Sequence, residues 1–538
     1  MQEFDFVIIG SGFGGSVAAM RLAQKGYSVA VIEKGKRYLP QDFAVTNWNI
    51  RRFLWAPIIK CFGIQQITLL KGIMLLHGAG VGGGSLVYAN TLMIPPDSIF
   101  ENPLWPAGTD WLHELKPFFQ TAQKMLGVVT NKIESEAEKL MQKLAIDIGV
   151  EKSFHLTEVA VYFGAPGKTS PDPYFAGAGP ARSGCTGCGA CMVGCREGSK
   201  NTLDKNYLYF AEKWGTRIFP ELKVSKIIPV QSGYCVTAGS VRDLFLKKEV
   251  RFMAKKVIVS SGVLGSIELL FQNRDVFKTL PAISGRLGEY VRTNGESLCG
   301  VTSLDCEPDL SRGIAIGSAI HPDAVTKIEP VRYNSGSSLM RLLAVPMTAN
   351  GSRFSRPLKL MGTILLRLPR IIRLIFVKNW ARQSVILLVM QTVDIHMKLK
   401  LGRSFLSFGR KALVGDSRSG NFPSFLALAQ DATQKVAGMI NGEPQNAASE
   451  VLLGIPATAH ILGGCNMGST VEHAVIDSRH EVFGYPGLFV CDGSVIPANL
   501  GVNPSLTITA LSERFSAGFP VKDEALFRTR MIKFSAIP

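Results

Sequence analysis

The sequence contains no run of eighteen apolar residues, so no segment of it is long enough to cross a bilayer as a helix. Charged residues are scarce at 19% of the chain while hydrophobic residues reach 46%, a balance that excludes disorder and points to a globular enzyme. A secretory leader is also missing: Asp5 interrupts the first apolar run, and a glycine turn follows where a cleavage site would stand. The expected location is therefore cytoplasmic. Ten cysteines in 538 residues do not make a secreted disulfide scaffold. Acidic residues vanish altogether between Glu329 and Asp394, where ten Lys or Arg occur, so more than half of the net charge of +17 arises in one segment. Charge concentrated in this way argues against nucleic acid as a partner and for one local basic surface.

Glycine, in contrast, is plentiful. Residues 5–9 form an apolar, β-branched run, Gly10-Ser11-Gly12-Phe13-Gly14-Gly15 follows, and residues 16–25 have helical apolar spacing, which reads as strand, turn and helix. In such a turn Gly10 permits the tight bend, Gly12 lets the backbone approach a pyrophosphate, and Gly15 lets helix pack on strand. A second strand, residues 27–32, ends in Glu33, whose carboxylate suits the two hydroxyls of a ribose. Together they predict a dinucleotide site. The glycine-dense loop at residues 78–85 suits a flat ring system or a phosphate, and residues 255–261 with Gly262 form a returning strand that closes the same domain.

Cys185, Cys188, Cys191 and Cys195 have the C-x2-C-x2-C-x3-C spacing of ferredoxin ligands, although Arg196 stands where ferredoxins usually have proline. An iron–sulfur centre, a zinc ion and a metal-free thiol-rich turn remain alternatives. Residues 356–382 interleave Leu, Ile and Phe with Arg and Lys, and Pro369 divides them into two amphipathic halves with a cationic rim. That pattern suits peripheral contact with a lipid interface, or equally a helical pair covering the body of the protein.

Five segments carry a resemblance: GSGFGGS at 10–16, GAGVGGGSLVYANTL at 78–92, DPYFAGAGPARSGC at 172–185, IEPVRY at 328–333 and LGVNPSLTITA at 500–510. With His460 and the segment around Gly493, they resemble the glucose-methanol-choline (GMC) oxidoreductase family, and within it the bacterial cholesterol oxidase branch of intracellular, mycobacterial type. The resemblance implies an α/β fold, with an FAD-binding Rossmann-like domain made of residues 1–95, 180–285 and 455–538. Residues 96–179 and 286–454 would form a second, α+β substrate-binding domain around a sheet that includes residues 384–394. FAD is the implied cofactor, with Phe13 and Gly14 at its pyrophosphate, Glu33 at the ribose, Gly84 near the isoalloxazine, Val224 by its backbone near adenine and Gly493 near the pyrophosphate or the ribityl chain. Tyr88, with Asn90 two residues on, replaces an Asn of the secreted enzymes.

The implied reaction is oxidation of a 3β-hydroxysteroid to the ketone, with hydride passing to the flavin and dioxygen or another acceptor removing the electrons. His460 and Asn503 match the family's catalytic pair, and Glu329 its isomerising carboxylate. The alternative is an FAD dehydrogenase that acts on another hydrophobic alcohol and uses a non-oxygen acceptor. A membrane-resident substrate would bring peripheral contact with the inner membrane face.

Overall fold

The structure, a computed structural model, describes residues 2–243, 249–305, 309–403, 411–416 and 422–535. The chain opens with β1 (Gln2–Ile9), α1 (Phe13–Gln24) and β2 (Val29–Ile32), as the glycine turn requires. It continues with β3 (Arg217–Phe219), β4 (Leu222–Val230), β5 (Gly233–Ser240), β6 (Glu249–Val259) and α2 (Gly262–Phe271). Next come β7 (Ser297–Ser303), β8 (Thr326–Val331), β9 (Ala344–Pro346), α3 (Ser355–Leu366), α4 (Leu368–Ile375) and β10 (Ser384–Gln391). The last elements used here are α5 (Ala427–Met439), β11 (Gly442–Ala447), β12 (Leu488–Val490) and α6 (Ser505–Ala517).

The first sheet has parallel strands in the order β3, β2, β1, β6; β2, most of β1 and the C-terminal end of β6 are buried apolar runs, whereas β3 at the edge is part-exposed. One edge of β6 is divided. Its N-terminal part pairs antiparallel with β5, which pairs in turn with β4, whereas Val257–Val259 pair parallel with β12. The expected returning strand is thus the end of a longer one. Helix α1 is buried almost throughout, between this sheet and α6.

The second sheet is antiparallel, in the order β8, β10, β7, β11, β9. Helix α5 and the helix Glu136–Asp147 cover one face, where Ile328, Val301, Leu387 and Val389 meet Leu140, Leu144 and Val436. Strand alternation places Glu329 and Val331 on the opposite face, beside Leu388 and Met390. The helix Trp111–Leu126 packs instead on α6, so the two helices of residues 96–179 divide between the two cores.

The basic segment folds as two helices, α3 and α4, but Pro369 stands at the second position of α4, where its missing N–H is not needed, and starts the helix rather than breaking one. The cationic rim expected of this segment is largely turned inward. Arg367 and Arg370 each reach the buried carboxylate of Glu443 at 3.0 Å, Arg373 pairs with Asp305 at 3.6 Å, and the buried Arg356 donates to the carbonyls of Ser424 and Glu450. A buried acid without partners is costly, so Glu443 draws the arginines toward the sheet. Among the described residues no helix is long and apolar enough to cross a membrane.

In the Glu443→Ala variant the helix pair loses its anchor. Because both guanidiniums are half-exposed, we expect a loss of roughly 1–2 kcal/mol, less than for a fully buried pair. Limited trypsin digestion should cut within α3 and α4 earlier than in the wild type; an unchanged cleavage order would contradict the anchoring.

Candidate active site

The turn after β1 is held by backbone contacts. Gly10 has φ of +104°, and a side chain there would overlap the carbonyl of Ser260 at the end of β6. At Gly14 it would overlap the carbonyl of Cys491, just after β12, and at Gly15 the carbonyl of Gly10. Gly12 alone has nothing within 4 Å of the position a Cβ would take. The open side of the turn is therefore at Gly12, while Gly14, expected at the pyrophosphate, packs against the C-terminal segment.

The second glycine loop lies on the first, with the α-carbons of Gly83 and Gly12 in close approach and the Gly82 N–H donating to Ser11 Oγ at 3.1 Å. Gly84 is open apart from the ring of Phe13, which in turn meets Tyr88 edge-on at 5.6 Å. Glu33, buried at the end of β2, accepts from Ser11 N at 3.0 Å, Ser11 Oγ at 2.8 Å and Gly35 N at 2.8 Å. These bonds aim its carboxylate at the mouth of the turn. Val224 is a buried residue of β4 beside an irregularity in that strand's pairing.

Gly493 opens a short turn capped by Asp492, whose carboxylate accepts from Ser494 N at 2.9 Å, Ser494 Oγ at 2.6 Å and Ser266 Oγ at 2.5 Å. The Gly493 carbonyl accepts from Gly463 N at 3.0 Å, which ties this turn to the loop carrying His460.

His460, Asn503 and Glu329 converge from three parts of the chain. Asn503 Nδ2 lies 3.4 Å from His460 Nε2. On the other side of the ring His460 Nδ1 pairs with Glu296, a buried residue just before β7 that also accepts from Ala459 N at 3.1 Å. A carboxylate only accepts, so this pairing places a proton on Nδ1 and leaves Nε2 facing Asn503 with its lone pair. Burial opposes the charged ring, yet Glu296, with help from Glu329, holds the His460 pKa above its ordinary value. Glu329 is fully buried, and neither of its oxygens has a hydrogen-bond partner; Asn503 Oδ1 also lacks one. Burial pushes the Glu329 carboxyl up, against the pull of Lys327, His460 and Asn503. Unpartnered polar atoms gathered at one buried place mark a site built for something else to complete.

The four cysteines line one small cavity together with Lys200 and Gly313. The Lys200 ammonium donates to the carbonyls of Leu86 at 3.1 Å, Tyr88 at 2.8 Å and Cys191 at 2.8 Å, and lies 4.6 Å from the Tyr88 ring centre. Tyr88 thus turns its ring to Phe13 and Lys200 and its hydroxyl to the Asn201 carbonyl, while Asn90 is buried. The zinc alternative is not matched: among the described residues no three His, Cys, Asp or Glu side chains are disposed to hold a metal ion. All four thiols are free, and burial pushes Cys185 up to about 12 and raises Cys191.

Residues 180–273 and 424–512 match the GMC oxidoreductase family, and residues 8–38 match an NAD(P)-binding Rossmann-like domain. The chain is 43% identical to a cholesterol oxidase of Acinetobacter baumannii, over 97% of this chain and 95% of that protein. It is equally 43% identical to a cholesterol oxidase of Mycobacterium tuberculosis, over 97% and 92% of the two chains. A long-chain-alcohol oxidase of Arabidopsis thaliana is 24% identical over 94% of this chain and 65% of its own length. Among solved structures, the fold is similar to that of pyridoxine 4-oxidase from Mesorbium loti, with a TM-score of 0.62, 15% identity and coverage of 96% and 99%.

Replacing Glu296 by Gln removes the anion that raises the His460 pKa. If neutral His460 is the form that takes a proton, the acidic limb of kcat/KM for alcohol turnover moves to lower pH in Glu296→Gln, with FAD content unchanged. A limb at the wild-type pH would rule out the pairing as the cause.

Proposed function

This chain belongs to the GMC oxidoreductase family of FAD enzymes that act on CH–OH donors, and from that premise we propose that it oxidises a 3β-hydroxysteroid such as cholesterol to the 3-ketosteroid. The observation that carries the reading is the meeting of a carboxylate-paired His460, Asn503 and an unpartnered, buried Glu329 at one place. The two cholesterol oxidases at 43% identity support the substrate class. Such an alcohol resides in lipid, so peripheral contact with a membrane belongs to the same reading.

FAD, when bound, supplies the hydride acceptor. Gly12 and Gly84 have the open space to lie against its pyrophosphate and its ring system, and Glu33 stands where a ribose would be held. In its neutral form His460 takes the hydroxyl proton at Nε2 while Glu296 fixes the ring and balances the charge that develops on it. Asn503 holds the same oxygen through its amide and keeps the imidazole edge turned toward it. Glu329, on the apolar face of the second sheet and with no bonds of its own to break, is suited to carry one proton between two ring carbons and so to isomerise the double bond. Burial raises its pKa and so favours the protonated form.

Anaerobic bleaching of the flavin by a panel of sterols and long-chain aliphatic alcohols tests the substrate. Sterols should reduce the flavin faster than the aliphatic alcohols, and His460→Ala should slow the step by about 10²–10⁴-fold. Bleaching by aliphatic alcohols only would replace the sterol reading. Glu329→Gln should retain oxidation but accumulate the unconjugated ketone, so a conjugated product from this variant would remove Glu329 from the isomerisation.

One observation favours a second reading, in which electrons leave to an acceptor other than dioxygen. The cysteine cavity touches Tyr88 through Lys200, and Tyr88 touches Phe13 beside Gly84, which makes a continuous path from the flavin side to four thiols. A multi-iron cluster takes one thiolate per iron and so spreads its ligands more widely than a single ion does. Protein purified without oxygen would then contain iron and sulfide and resist alkylation at these four cysteines. Absence of iron with four alkylatable thiols would leave dioxygen as the acceptor.

A further inference from the structure

The outer side of the helix pair is as apolar as its inner side. Ile371, Leu374 and Leu360 face the protein and are buried, but Leu358, Met361, Leu365, Leu366, Ile372, Ile375 and Phe376 are exposed, Leu366 to 87% and Phe376 to 74%. A helix apolar on both faces is normally enclosed, and a large exposed patch on a folded chain marks a contact with something else.

A second segment, distant in sequence, joins this surface. Phe53 is buried in one cluster with Val377, Trp380 and Ala381, and Leu54, Leu339 and Met340 pack on it. Asn47 binds the backbone of Leu339 at 3.0 Å, and Arg341 caps the carbonyls of Ile375 at 2.9 Å and Val377 at 3.2 Å. The loop over this support exposes Trp48, Ile50, Ile58 to 81% and Ile59 to 63%, and Leu342 is exposed between the two segments.

Charge selects the occupant. Arg51, Arg52 and Lys60 on the first segment and Arg353, Lys359 and Lys378 on the second are exposed, and none forms an ion pair among the described residues. The acids beside the helices, Glu443, Asp305 and Asp309, are already paired with Arg367, Arg370, Arg373 and Arg382. The arrangement is an exposed apolar surface with cations outside any ion pair on the same two segments, while the arginines beneath are engaged by acids. We infer that residues 45–60, 339–343 and 354–378 form a docking surface for an anionic phospholipid bilayer, into whose interface Leu365, Leu366, Ile375, Phe376, Ile58 and Ile59 insert. Insertion of apolar side chains supplies the hold, and the six exposed cations without a carboxylate partner favour anionic headgroups. A protein partner would have to provide acids against all six cations and an apolar recess as well, whereas an anionic lipid surface provides both without a specific shape.

The inference does not rest on the sterol reading, and its test contains no substrate. Full-length holoenzyme is floated with vesicles of phosphatidylcholine alone or with a third of phosphatidylglycerol. The wild type should float with the anionic vesicles, and Leu366→Glu with Phe376→Glu should reduce the bound fraction at least about tenfold. Arg51→Gln with Lys378→Gln should weaken binding to the anionic vesicles only. The substituted side chains are exposed, so thermal melting and turnover of a detergent-dispersed alcohol should be unchanged. Wild-type protein left at the bottom of both gradients overturns the inference, as does flotation of the double Glu variant at the wild-type level. A wild-type dimer that does not float, and that the double Glu variant splits, would assign the surface to a second copy instead.

Discussion

Backbone lying directly on backbone around residues 10–15 is the constraint on which the nucleotide half of the molecule depends. The carbonyls of Ser260 and Cys491 come so close to this turn that a single methyl group at Gly10 or Gly14 would part them, and a methyl at Gly83 would strike the α-carbon of Gly12. The ends of β1, β6 and β12 and the second glycine loop are thereby brought to one point. Side chains are missing there for two reasons. At Gly10, Gly14 and Gly15 the chain itself fills the space, and at Gly12 and Gly84 the space is open.

Around His460 the same economy is electrical. Two buried carboxylates flank one imidazole, and their surroundings differ. Glu296 is held by Ala459 N and by the ring itself, and it stabilises positive charge on His460. Glu329 has no such bonds, and burial drives it toward its neutral form. Lys327, two residues before Glu329 on β8, is itself buried with its pKa lowered, so it offsets only part of that burial cost. Two like side chains thus come to have different partners from position alone.

Much of this was legible in the sequence because it is local. Strand, glycine turn, helix and Glu33 are contiguous, and His460, Glu329 and Asn503 each sit in a short motif. Glu296 is not legible in that way. It follows Asn294 and Gly295 in a stretch with no periodic or motif signal, and only the fold brings it to a histidine far along the chain. The same limit applies to the basic segment. Its amphipathic spacing predicts the two helices, but Glu443, which turns two of its arginines inward, lies beyond β10 and α5. Spacing likewise brings four cysteines to one cavity, but the Lys200 ammonium that shares it comes from outside the motif.

The divided edge of β6 has a consequence for how the chain comes to its fold. Its N-terminal part can pair with β5 as soon as both have been synthesised, since only a short connection separates them. Its C-terminal part must wait for β12, more than two hundred residues later, and until then the Cys491 carbonyl that closes on Gly14 is absent. The second sheet is complete before β12 appears. On the order in which the strands are synthesised, the more local antiparallel pairing can form first, and the cradle stays unclosed, with a strand edge exposed, until β12 emerges. Cofactor capture is then a late event of assembly, and the half-made cradle is the part of the molecule most in need of protection against wrong pairing.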